Sequence, residues 1–263
     1  MAARAMWKAS LELGPLRVPV KLYAAVEDRA VHFRLLHAKD GVPVRQRMVD
    51  PRDESEVPKE AVRRGIEVEE GLFVVMQPEE LASVEPEPSR AIELVRFVPP
   101  EAIDIAWYSR PYFLGPDEDS DEDYFALAEA LRTSERRGVA RWVMRGQRYF
   151  GALEPRGKHL ALVALHAANE VVAASELARP GGKPLAPGER KLAEQLVATL
   201  DARFDPAELV DEYRERVEKL IEAKREGRSF AVKEAPPPRA EGDLGDVLKR
   251  SLRQAKERRR AAA

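Results

Sequence analysis

Residues Trp7 to Ala25 read WKASLELGPLRVPVKLYAA, and this stretch decides the fold. Gly14 and Pro15 separate two runs of strand-forming character. In the second run, Leu16 to Tyr23, Val18, Val20 and Leu22 alternate with Arg17, Pro19 and Lys21. Successive side chains of a strand point to opposite faces, so one face is apolar and the other polar. The stretch therefore predicts a half-buried β-hairpin. Pro19 has no N–H to donate to a ladder, which predicts an edge position or a bulge.

The same signature recurs along the chain. Ile66–Glu69 and Leu72–Met76 flank Glu70 and Gly71, a hairpin turn. Ala91–Val98 reads as a strand. Val139–Arg145 sets Ala140, Trp142 and Met144 against Arg141, Val143 and Arg145, and a turn at Gly146-Gln147 leads into Arg148–Leu153. Leu160–Leu165, LALVAL, suits a buried strand. Short strands between turn signals point to a barrel or sandwich. One helix interrupts them: DEDSDED, Asp117–Asp123, precedes Tyr124–Arg137. Ser120 and Asp123 form a pair like a capping box, the acids complement the helix dipole, and Gly138 is the expected stop. DEDSDED lacks the spacing and glycine of a calcium loop, so it reads as a solvated helix start.

The last third is helical. Leu192, Leu196, Leu200 and Phe204 form one stripe from Gly188 to Arg203. Asp205 and Pro206 predict the start of a second helix, with Leu209, Val210, Tyr213, Val217, Leu220 and Ile221 at helical spacing up to Gly227. APPPRAEG, Ala235–Gly242, is a linker by composition. Beyond it, Asp243–Arg260 could coil into an amphipathic helix with Leu244, Val247, Leu248 and Leu252 on one face. The alternative is a solvated, frayed tail.

The formal net charge is −2, from 44 basic and 46 acidic residues. From Pro236 onward, eight basic residues less four acidic ones give +4, so the rest of the chain carries −6 (−2 minus +4). The main body is therefore acidic, and any polyanion surface on it requires its basic residues to converge. There are no cysteines, which excludes disulfides and thiolate metal sites. No run approaches the ~20 apolar residues that cross a bilayer. The opening MAARAMWKAS has no apolar core of signal-peptide length, so a cytoplasmic protein is expected.

No motif of a catalyst stands out. The chain lacks a phosphate-cradling GxxxxGKS, a GxGxxG after a strand and a GxSxG elbow. His32 and His37 are not spaced for a helical metal pair, and His159 and His166 stand apart. Lys39-Asp40-Gly41 is adjacent KDG without the spacer of a ligase nucleophile motif, and reads as a turn. No metal and no cofactor is expected.

The early Trp, the glycine turn and VPVKLYAA resemble the opening of bacterial Ku proteins. Val31–Gly41 (VHFRLLHAKDG) is similar to the family's next strand and turn. Pro99–Pro116, Ala140–Pro155, Asn169–Val171 and Phe204–Pro206 resemble further Ku segments in one consistent order, spanning about Trp7 to Phe230. One departure is plain. Where many bacterial Ku sequences carry a cysteine pair, this chain has MVDPRDESEVP, Met48–Pro58, with Asp50, Pro51 and Asp53 suited to turns.

The resemblance implies a mainly β fold with helices: a Ku-core barrel with a DNA-encircling bridge in residues 1–187, a dimerising helical arm in 188–230, and a linker and basic tail in 231–263. It implies a non-enzymatic homodimer that binds double-stranded DNA ends in non-homologous end joining, near the nucleoid. An ATP-dependent DNA ligase of the bacterial end-joining type is the implied partner. Bridge-side DNA candidates are Arg34, Lys39, Arg45, Arg47, Lys59, Arg63 and Arg64. The strand rule puts Arg45 and Arg47 on one face, ~6.5–7 Å apart, near the phosphate repeat of one DNA strand. Arg145 and Arg148, which flank a hairpin turn, are further DNA candidates. In the tail, Lys249, Arg250, Arg253, Lys256, Arg258, Arg259 and Arg260 are candidates for DNA or ligase. The alternatives are a β-rich scaffold or regulatory protein that binds another protein through the helical arm, and a hydrolase with scattered carboxylates.

Overall fold

A computed structural model describes residues 3–118, 120–178, 181–182, 185–227 and 244–261. The chain divides into two compact units, Met1–Arg29 with Phe33–Glu176, and Ala30–His32 with Leu177–Ala263. The first is built on a closed barrel. Its strands are β1 (Trp7–Leu13), β2 (Leu16–Ala24), β5 (Ala91–Val98), β6 (Tyr108–Pro116), β7 (Arg137–Met144), β8 (Gln147–Arg156) and β9 (His159–Leu165). They run in the order β1-β2-β6-β9-β8-β7-β5. Neighbours pair antiparallel except β1 with β5, a parallel pairing that closes the barrel.

The alternation in the opening hairpin fills the barrel. Val18, Val20 and Leu22 are fully buried, with Ile92, Leu114, Leu153, Leu160 and Leu162 from four other strands. Leu13 pairs with Leu16 around Gly14, whose φ of 57° suits a residue without Cβ. Trp142 stacks on Tyr149 with centroids 5.5 Å apart. The Trp142 ring lies so close to Gly151 that a Cβ there would come within 2.7 Å of it and 2.8 Å of the Val163 carbonyl. A glycine is what lets the two approach.

Pro19 is not on an edge. β2 lies between β1 and β6. The Pro19 carbonyl accepts from the Asp117 N–H at 3.1 Å, just past the end of β6. The N–H that proline lacks would face the same way, where β6 has ended, so no ladder bond is lost.

Helix α2 (Asp121–Thr133) packs on the barrel through Tyr124, Leu127 and Leu131. The Tyr124 hydroxyl donates to the Leu114 carbonyl at 2.5 Å and accepts from the Leu160 N–H at 2.7 Å, tying α2 to β6 and β9. Two expectations about this helix fail. Ser120 occupies the N-cap position, but its hydroxyl bonds the carbonyls of Asp117 (2.6 Å) and Pro19 (2.7 Å) and makes no cap bond. The helix ends at Thr133, with Glu135 at φ 50° and Arg136 N–H on the Leu131 carbonyl at 3.2 Å. Gly138 is needed in β7, where a Cβ would press on Leu94 and Phe97 at 3.2–3.3 Å. The solvated reading of DEDSDED also fails for Asp117. This carboxylate is buried, 2.5 Å from Lys21 Nζ and 2.8 Å from Lys8 Nζ. Hydrogen bonds from the two lysines, Lys21 foremost, hold its pKa down at about 2.

In the second unit, α3 (Pro187–Leu200) begins on Pro187, and Glu189 reaches back to the Ala186 N–H at 2.9 Å. Asp205 and Pro206 start only a short 3-10 turn, Pro206–Glu208. The helix expected there, α4 (Glu212–Arg225), starts later, because Asp211 provides the cap by accepting from Arg214 N–H at 3.0 Å. Leu209 and Val210 therefore precede it. The tail helix α5 (Leu244–Ala261) buries Leu252 and Ala255 and packs against α3. The linker at 235–242 lies outside the described residues.

Candidate nucleic-acid interface

Between β2 and β5 the chain makes a long excursion out of the barrel, residues 25–90. It holds a two-stranded sheet of β3 (Arg64–Glu69) and β4 (Leu72–Met76), a 3-10 turn at Lys59–Ala61 and helix α1 (Pro78–Val84). The β3–β4 turn falls at Glu70-Gly71, with Gly71 at φ 77°. None of these elements buries a side chain. Phe33, Leu35, Ile66 and Phe73 are each more than half exposed. An isolated two-stranded hairpin is at best marginal in water. The excursion thus carries a large apolar surface without a core to receive it.

The segment expected to be a strand and turn at Val31–Gly41 contains only the turn. His37 N–H bonds the Val42 carbonyl at 2.9 Å, Asp40 bonds His37 Nδ1 at 2.8 Å, and Leu36 and Pro43 form an isolated bridge. Arg45 and Arg47 lie in irregular backbone, so the expectation that a strand puts them on one face does not hold. Among the described residues no strand neighbours them to make a ladder. The Met48–Pro58 stretch folds into the turn its residues suit. Asp50 binds the Arg52 side chain, the Ser55 N–H donates to Asp53 at 3.0 Å, and Val49 bridges Glu56.

The basic residues differ in what holds them. Arg34, Lys39, Arg45, Lys59 and Arg64 are exposed, and Arg45 has no ion pair among the described residues. Arg47 is paired with Glu56 at 2.7 Å. Arg63 donates to the carbonyls of Glu60 (2.5 Å) and Val62 (3.1 Å), so its guanidinium folds on its own backbone. Arg145 and Arg148 belong to the barrel hairpin. The turn is at Arg145-Gly146, one residue earlier than expected, with both at positive φ (54° and 73°), and Met144 pairs with Gln147. Arg145 thus takes a left-handed position that glycine usually fills. In the second unit, Lys249, Arg250, Arg253 and Lys256 are exposed on α5, away from Leu252 and Ala255. Arg258, Arg259 and Arg260 lie in that helix, and their side chains are outside the described residues. The excursion therefore gathers seven of the candidates in one exposed segment.

Sequence reasoning missed the charged groups fixed on the barrel itself. Glu154 is buried, with Arg137 Nε at 2.8 Å and Arg156 at 2.7 Å. Arg137 also bonds the Pro100 carbonyl at 3.0 Å and the Tyr108 hydroxyl, and lies 5.6 Å over the Tyr108 ring. The sequence signal was Glu154 between two apolar strand residues, Leu153 and Pro155. Among the described residues no helix is long and apolar enough to cross a membrane.

Comparison with known proteins gives this geometry a family. The family model of the Ku70/Ku80 beta-barrel domain matches residues 12–194. The chain belongs to the Ku family. This Ku chain is 36% identical over 258 residues to the non-homologous end joining protein Ku of Anaeromyxobacter sp. (strain K), covering 97% of this chain and 87% of that one. It is 36% identical to Ku 2 of Geotalea uraniireducens (strain Rf4) over 255 residues, covering 96% and 99%. It is 31% identical over 252 residues to the Ku of Archaeoglobus fulgidus, covering 95% and 98%. The mainly β barrel with helices agrees with the resemblance in the sequence.

Proposed function

We propose that this Ku-family chain binds double-stranded DNA ends without regard to sequence, as a homodimer, in non-homologous end joining. The observation that carries the reading is the excursion at residues 25–90. It projects exposed arginines and lysines together with apolar side chains that no core among the described residues covers. Contiguous exposed apolar surface marks a partner site, and the apolar face suits a second copy. The second unit adds Val197, Leu200, Phe204, Leu209 and Tyr213, each more than half exposed. The units are read as a barrel core in residues 1–187, a dimerising arm in 188–230, and a linker and tail in 231–263.

The basic residues of the excursion would then face DNA phosphates. Phosphate contacts supply affinity and a salt dependence but carry no sequence information. Two such excursions closing on each other would admit DNA only by threading from an end. Ends are thus selected by topology and not by a pocket, and no chemical step is needed. The cationic face of α5, Lys249, Arg250, Arg253 and Lys256, would serve DNA or an ATP-dependent ligase. Streptavidin blocks on both biotinylated ends of a duplex test the reading. The reading expects loading on the duplex with open ends and none on the blocked one. Equal loading would overturn it.

A further inference from the structure

The outer wall of the barrel carries a groove that the end-binding reading does not use. Outward side chains of a barrel strand ordinarily meet water, and here they do not suit it. Val139, Phe150 and Leu165 project from β7, β8 and β9, and Phe150 pairs with both Arg141 and Leu165 across the sheet. The irregularity between Leu94 and Arg96 on β5 inserts Val95 beside them. Ile103 and Trp107, from the two 3-10 turns that precede β6, form the opposite side. The open groove has a volume of about 480 Å³. Phe150 and Val95 remain nearly half exposed, at 47% and 49%.

This wall is held in place. The Arg137 side chain donates to the Pro100 carbonyl at 3.0 Å and to the Tyr108 hydroxyl, at either end of the turn segment. The buried Glu154 fixes Arg137 at 2.8 Å. Asp104 accepts from the Ala106 N–H at 2.9 Å and the His166 N–H bonds the Trp107 carbonyl at 2.9 Å. A groove whose walls are fixed before binding loses less entropy on binding.

The charged groups lining it are both cationic. Arg96 has no ion pair among the described residues, and Arg141 is paired with Glu93 at 2.6 Å. We infer that this groove is a docking site for a short segment of a partner protein, with a large apolar anchor side chain seated on Phe150, Val139 and Leu165 and carboxylates beside it facing Arg96, the lining arginine whose charge no ion pair matches among the described residues. An apolar floor with arginines alone at its charged positions complements that chemistry. It does not suit a DNA phosphate, which would find an apolar floor, and none of its residues is a candidate DNA contact.

Fluorescence anisotropy of the full chain with fluorescein-labelled Glu-Asp-Leu-Trp-Asp-Ile-Asp tests the inference. A control peptide has Ser in place of Leu, Trp and Ile, and a second has Lys in place of the acids. The acidic apolar peptide should bind, and both controls should bind at least tenfold more weakly. Phe150→Ser should weaken the peptide by about tenfold or more, the size of one lost anchor. Arg96→Glu should weaken it too and improve the lysine control. Affinity for linear duplex should be unchanged in both variants, which separates this site from end binding. Three results would overturn the inference: no binding of the acidic peptide at hundreds of micromolar, equal binding of the three peptides, or binding indifferent to Phe150→Ser. A loss of dimer in sedimentation with Phe150→Ser would instead assign the groove to a second copy of this chain and overturn it as well. Displacement of the peptide by duplex, with weaker duplex binding by Arg96→Glu, would assign it to DNA.

Discussion

The Arg47 guanidinium lies 2.7 Å from the Glu56 carboxylate, across the turn that the bridge between Val49 and Glu56 closes. Both side chains are more than half exposed, so the pair contributes little to the fold. Its effect is on charge: a cation proposed for phosphate contact is matched by an anion of the same loop.

Glu56→Gln should therefore raise affinity for linear duplex at low salt. The slope of log affinity against log salt should steepen by up to about one unit, one added phosphate contact. Titration of a labelled duplex across a salt series measures both. An unchanged slope would remove Arg47 from the DNA-facing set.

Tyr124→Phe tests the tie between α2 and the barrel. The hydroxyl serves the Leu114 carbonyl and the Leu160 N–H, both buried. Removing it leaves a buried donor and acceptor without partners, at a cost of about 1–3 kcal/mol. A urea melt should show a lower midpoint at an unchanged m-value.

The pH dependence of stability should carry the mark of Asp117. Its folded pKa is depressed to about 2 by Lys21 and Lys8, against about 3.9 in an unfolded chain. A depressed carboxylate contributes stability that is complete above the unfolded value and is lost as pH falls toward the folded one. Denaturation midpoints should fall between about pH 4 and pH 2, and Asp117→Asn should flatten that part of the curve while lowering stability at pH 7.

The apolar surfaces of the excursion and of residues 197–213 predict a homodimer. Sedimentation equilibrium at micromolar protein should give twice 29.5 kDa. Phe73→Asp, on the exposed face of β4, should weaken the dimer and leave the barrel's thermal transition in place. A monomer in the unsubstituted chain would contradict the reading.

The barrel was legible where burial and periodicity agree. Val18, Val20 and Leu22 alternate in sequence and are fully buried in the structure. Ala140, Trp142 and Met144 alternate likewise in β7 and are buried. The ends of elements were not legible, because tertiary demands overrule local signals. Gly138 looked like a helix stop, but a close approach of Leu94 and Phe97 needs it in β7, and Glu135 closes the helix instead. Pro19 looked like an edge marker, and closure of the barrel removed the edge. The stretch at Arg45 and Arg47 has no β partner among the described residues, and a pattern of two residues cannot reveal a missing neighbour. The tail's apolar stripe was visible in Leu248 and Leu252; that α3 receives it was not. The groove beside Phe150 left no sequence signal, since it is assembled from four strands and two turns.

The central claim is that the chain recognises an end and not a sequence or a duplex in general. One plasmid decides it. The relaxed, covalently closed circle and the same molecule cut once by a restriction enzyme differ only in having ends. In a mobility-shift titration at about 0.15 M salt, the account predicts binding to the cut form and little to the closed circle. It predicts the same affinity for cuts made at different sequences. Equal binding to the closed circle, at equal protein, would contradict it.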